Sequence, residues 1–147
     1  MSDRTLRLAR LAADLAPSMI ELRRDLHRNP EVGWTEYRTT RRVAEVLTER
    51  GLAPRVRAEG TGLTVEIGSG EPVVGFRADM DALPIQEEAQ PEYRSERDGV
   101  MHACGHDVHT AVGVGVASAL AELGDIPGTV RVIFQPAEEQ IPGGAMT

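Results

Sequence analysis

The chain has 147 residues, of which 41% are hydrophobic and 27% charged, and a formal net charge of -7. That is ordinary usage for one soluble domain, and the acidic balance disfavours a nucleic-acid partner. The most apolar stretch, 111–121, is far shorter than the roughly 20 residues a bilayer-spanning helix needs, so no membrane partner is expected.

The single cysteine, with no apolar leader ahead of a small-residue cleavage site, fits a reducing, cytoplasmic location. Leucines at 6, 8, 11 and 15 predict an amphipathic helix over 4–15, which Pro17 should interrupt. Ser18 and Glu21 have capping-box spacing, so a second helix should run to about His27 and stop at Asn29-Pro30. A third is expected with Thr35 as its cap, apolar positions at Val43, Val46 and Leu47, and Gly51 as its left-handed terminator. Leu63, Val65 and Ile67 then alternate with polar residues, and the glycines around Ser69 turn the chain into a second apolar run. Segments 62–67 and 73–78 therefore read as a β-hairpin, the second strand being buried on both faces. Residues 84–100 are acidic and turn-rich, a surface excursion. A helix from Asp107, with Val112, Val116, Leu120 and Leu123 on one stripe, closes at Gly124 and Pro127. It leads into a strand over 129–134, which completes a β-α-β unit with parallel strands.

This order brings chemistry to one edge. Asp79 and Asp81 follow one strand, Glu138 and Glu139 follow the other, and Cys104 and His106 precede the helix between them. In open α/β sheets such strand ends line the binding crevice. A thiolate, an imidazole and a carboxylate can hold a zinc-like ion, and the second carboxylate of a tandem pair can act as general base. Asp79 and Asp81 can be ligands, can orient a ligand imidazole or can cap loop amides. His109, three residues after His106, falls near the same helical face. A reactive thiol and a buried structural cysteine remain alternative readings of Cys104, and a solvated acidic turn of Glu138-Glu139.

The stretches RRDLHRNPE (23–31), FRADMDALPI (76–85), MHACGHDVHT (101–110) and VIFQPAEE (132–139) resemble, in order and spacing, the amidohydrolase branch of the M-20 metallopeptidases. The resemblance implies an α/β, three-layer zinc-peptidase-like catalytic domain with a mixed, partly parallel sheet. Within it 1–147 would be the N-terminal part, truncated after the second metal motif and lacking the lid or dimerisation domain. It further implies two divalent ions per full-length site (Zn, Mn, Co or Ni), with Cys104, His106 and Glu139 as metal ligands and Glu138 as general base. Asp81 is expected among the catalytic residues. Where the wider clan has a histidine at the position of Asp79, His106 compensates. The implied partners are a small N-acyl amino acid substrate and, at full length, a second copy in a homodimer.

Overall fold

The computed structural model describes residues 2–146. The first element departs from expectation, because α1 is one helix, Asp3–Arg28, with Pro17 inside it. Pro17 removes an amide, so the Ala13 carbonyl loses its helical partner. Both residues are exposed, and water can satisfy that carbonyl at little cost. On the opposite face Leu15, Leu22 and Leu26 are buried and hold the two halves in line. Ser18 is therefore no cap: its hydroxyl donates to the Leu15 carbonyl at 2.9 Å, and Ser2 caps the helix instead, accepting from the Thr5 amide. Pro17→Ala restores the missing bond and is expected to raise unfolding free energy by up to about 3 kcal/mol, read from urea midpoints.

Helix α2, Tyr37–Glu49, buries Val43, Val46 and Leu47 as predicted. Its start is served from upstream rather than by Thr35: the Glu31 carboxylate accepts from the Arg38 and Thr39 amides at 3.1 and 2.7 Å. Its end is a Schellman turn. Gly51, at φ 77°, donates to Thr48 O and Leu52 donates to Leu47 O.

The expected hairpin does not form. β2, Leu63–Asp79, pairs along two limbs with β3, Pro127–Gln135, while the short β1, Arg55–Val56, flanks it antiparallel. In the second limb the partners ascend in parallel, from Val73↔Thr129 to Asp79↔Gln135. In the first they descend, from Leu63↔Phe134 to Ile67↔Val130, so that limb runs the opposite way. Val130 and Val132 each have a partner in both limbs, which puts β3 between them. The limbs are too far apart to pair with each other, and the crossing is built on glycine. A Cβ at Gly68 (φ 81°) would lie 2.3 Å from Gly128 O. Nor is the second limb buried throughout, since Val73 and Val74 are 47% and 56% exposed.

Helix α3, His106–Leu123, connects the second limb to β3 and completes the expected β-α-β unit. It packs on the sheet mainly through small residues in its first turns, with Leu120 and Leu123 of the expected stripe turned inward at its end. Thr110, Ala111, Gly113, Val114, Ala117 and Ser118 are buried, whereas Val112 is exposed. A Cβ at Gly113 would meet Phe134 at 2.9 Å and Ala78 at 3.0 Å, so the close approach of helix to sheet forbids a larger residue there. Leu26, Val43, Leu47, Leu63, Val65, Met80, Val114, Val132 and Phe134 form the core. The result is a mixed α/β fold with a partly parallel sheet, and no helix among the described residues is long and apolar enough to cross a membrane.

Candidate metal centre

Three chain segments meet where β2 and β3 end. Asp79 closes β2, with Asp81 two residues on. Gly105, left-handed at φ 83°, turns the chain so that Cys104 and His106 flank the start of α3, and Glu138 and Glu139 follow β3 through Ala137, a non-glycine at φ 49°.

His106 is 2% exposed, and its tautomer follows from its partners. Nδ1 lies 2.9 Å from the Asp81 backbone oxygen and 3.1 Å from Asp81 Oδ1. A carbonyl can only accept, so Nδ1 carries the proton and Nε2 keeps its lone pair for an incoming ion. Burial opposes charge on His106, but Asp81, by hydrogen bond and by field, outweighs it and moves the pKa up. Burial likewise works against an ionised Asp81. The hydrogen bond from His106 and those from the Glu139 and Glu138 amides more than compensate and hold it below its usual value. Asp81 Oδ2 accepts from the Glu139 amide at 2.9 Å, so both oxygens of this residue are engaged in fixing the other two. Expected among the catalytic groups, Asp81 is placed to orient them.

One donor atom each from Cys104, His106 and Glu139 lie within 4.8 Å of one another. Donors on a tetrahedral ion sit about 3.3–3.8 Å apart, so a small movement of two exposed side chains closes the set. Glu138 stands beside them, its Oε2 3.8 Å from His106 Nε2 and its side chain 35% exposed. The surroundings of Cys104 bear on its three readings. Its hydrogen bond to Glu139 raises the thiol pKa, burial adds to this, and the charges of Glu139, Glu138 and Asp81 push the same way. A redox or nucleophilic thiol needs electropositive neighbours, which is the reverse of what surrounds Cys104. The residue is also exposed, against a merely buried role. A soft thiolate donor, one uncommitted imidazole nitrogen and a carboxylate are a donor set that fits a divalent ion, which would offset the crowded negative charge.

Asp79 and His109 form a second, overlapping group with His106. His109 Nδ1 is 3.4 Å from Asp79 Oδ2, while Arg77 pairs with both Asp79 oxygens, at 3.1 and 3.2 Å, and already balances its charge. His102 is buried, with no partner for either ring nitrogen among the described residues, and burial lowers its pKa to about 4. It belongs to neither donor group.

Sequence reasoning assigned no role to the groups behind the site. Asp107, fully buried, pairs with His27 Nδ1 and Arg23 Nε, each at 2.7 Å, and His27 Nε2 lies 3.2 Å from Glu87. Glu87 also takes the Ser95 amide at 2.6 Å, so the excursion 84–100 is strapped to α1. The only signal was placement: His27 and Asp107 lie within the quoted stretches 23–31 and 101–110.

Residues 75–147 match the profile described as Peptidase family M20/M25/M40. The chain is 44% identical over 141 residues to the N-acyl-L-amino acid amidohydrolase of Geobacillus stearothermophilus, covering 94% of this chain and 38% of that protein. It is 45% identical over 132 residues to the N-acetylcysteine deacetylase of Bacillus subtilis, covering 85% and 34%. Among solved structures, the Bacillus subtilis YXEP protein, a dinuclear metal binding peptidase from the M20 family, superposes with a TM-score of 0.83 at 44% identity, over 89% of this chain and 38% of that one. The chain thus spans about a third of the length of the curated relatives it matches. A profile that runs through Asp81, Cys104, His106, Glu138 and Glu139, with the same fold in a relative at 44% identity, makes the chain a member of peptidase family M20/M25/M40.

Proposed function

We propose that these residues are one share of an active site that hydrolyses the amide bond of N-acyl amino acids, with hippurate-like and N-acetyl amino acids as the substrate class. One observation carries the reading: donor atoms of Cys104, His106 and Glu139 converge, with the Glu138 carboxylate beside them. The names of the two curated relatives support the substrate class. Zn, Mn, Co or Ni would be held by Cys104, His106 through Nε2, and Glu139. When bound, the ion supplies Lewis-acid polarisation of the amide carbonyl and acidifies water. The chain's own residues supply the rest. Glu138 accepts a proton from the attacking water and delivers it to the leaving amine nitrogen, while Asp81 holds the His106 ring and the Glu139 backbone in place.

Three ligands can hold one ion, with a position left for water, and leave a two-metal centre incomplete, so the 147 residues alone are expected to turn over no substrate, the remaining ligands, a lid and a homodimer interface belonging to a longer polypeptide. A cytoplasmic site of action is part of the same reading. A dipeptidase or aminoacylase on this scaffold, or a non-catalytic metal-binding piece, is the alternative.

Alkylation of Cys104 tests the centre directly. Saturating Zn²⁺ is expected to protect the thiol, and equal labelling with and without zinc would refute the metal reading. Assay on hippurate and N-acetyl amino acids with Mn²⁺ or Zn²⁺ tests the rest. The chain alone should be silent. The chain joined to the part of the Geobacillus enzyme it does not cover should hydrolyse at least one of them.

A further inference from the structure

Adjacent residues in extended or helical backbone send their side chains in divergent directions, yet Glu138 and Glu139 both lie at the ion-binding group. What redirects them is the residue before. Ala137 is fully buried and held at φ 49°, a conformation alanine does not choose for itself. Its amide is buried with it and needs an acceptor. That acceptor comes from a distant part of the chain: Glu36, at the start of α2 and 0% exposed, takes the Ala137 amide on Oε1 at 2.7 Å.

The neighbouring backbone is wedged in the same way. A Cβ at Gly33 would lie 2.5 Å from Gln140 Cγ and 3.1 Å from Ala137 Cα, and the Trp34 indole donates to Pro142 O at 3.3 Å. The segment 33–36 therefore forms the floor of the 137–142 turn.

We propose that Glu36 is a positioning residue: its buried carboxyl fixes the left-handed turn at Ala137 and so aims the tandem glutamates at the ion-binding group. The proposal rests on the metal-centre reading for its consequence but not for its geometry.

The form of Glu36 follows from its surroundings. Oε2 has no partner among the described residues, a poor situation for an ionised carboxylate. Burial raises the pKa, and the backbone amides that lower it do not make up the difference. The burial favours the neutral form, and in either form it is Oε1 that accepts from the Ala137 amide. A neutral amide offers the same oxygen, so Glu36→Gln should substitute for it, while Glu36→Ala and Glu36→Leu should not.

Two readouts separate this proposal from the metal reading. Amide hydrogen exchange at Ala137 needs no ion: it is expected to stay slow in Glu36→Gln and to accelerate in Glu36→Ala and Glu36→Leu. Zn²⁺ affinity by competition titration is expected to hold in Glu36→Gln and to fall about 10–100-fold in the other two. The decisive variant is the double Glu36→Ala, Ala137→Gly. Glycine adopts positive φ freely, so zinc affinity should recover if Glu36 works through the turn, and it should not if Glu36 merely fills space. Unchanged exchange in Glu36→Ala, or loss in Glu36→Gln equal to that in Glu36→Ala, overturns the proposal. Absence of zinc binding by the wild-type chain overturns the metal reading instead, and exchange at Ala137 still decides the role of Glu36.

Discussion

Replacing Glu138 by alanine, in the chain joined to the uncovered part of its Geobacillus relative, is expected to lower kcat by about 10²–10⁴-fold with bound metal unchanged. The two glutamates are adjacent but differently tied. The amides of both reach Asp81, but the Glu139 carboxylate is the one that gathers with Cys104 and His106. Glu138 is outside that donor set, partly exposed and close to His106 Nε2, which leaves it free to exchange protons with water and an amine. Glu139→Ala should therefore show the opposite pattern, losing metal first and activity as a consequence. Metal content by elemental analysis beside kcat for both variants separates the roles. Equal metal loss in the two, or full turnover in Glu138→Ala, would contradict the assignment.

The second large effect is on stability. Asp107→Ala is expected to cost about 3–5 kcal/mol, because it removes the buried carboxylate that Arg23 Nε and His27 Nδ1 both meet at 2.7 Å. His27→Ala should cost less, about 1–3 kcal/mol, because Asp107 and Glu87 lose the imidazole between them while Arg23 still pairs with Asp107 and the Ser95 amide still meets Glu87. Against a typical domain stability of about 5–15 kcal/mol, the first change takes a large share. Urea denaturation of the two single variants and of the double variant provides the check. The double should cost clearly less than the sum if the pair acts as a unit. Changes below about 1 kcal/mol would mean that water already supports these groups.

Features set by residues close in the chain were legible beforehand. Gly51 ended α2 through a local turn, and the β-α-β unit followed from a change of hydrophobic period. Pro17 misled because its cost depends on whether the orphaned carbonyl faces water, which sequence does not state. The stripe on α3 held at its C-terminal end, where Leu120 and Leu123 pack inward, but not at Val112, because near Gly113 the sheet lies so close that small residues face it. At the site, the thiol, imidazole and tandem glutamates stood out by residue type. Their supports did not, since Asp107 finds His27 across 80 positions and Ala137 finds Glu36 across 101.

The seat of β3 between the two limbs of β2 has a consequence for biosynthesis. Both limbs leave the ribosome some fifty residues before the strand that must lie between them, since β2 ends at Asp79 and β3 begins at Pro127. Until then each limb lacks the neighbour it will have on its inner side, and no hairpin can form a stable nucleus in the meantime. Assembly waits for a distant insertion, a route that is slow by its topology and leaves the nascent chain open to aggregation at the gap.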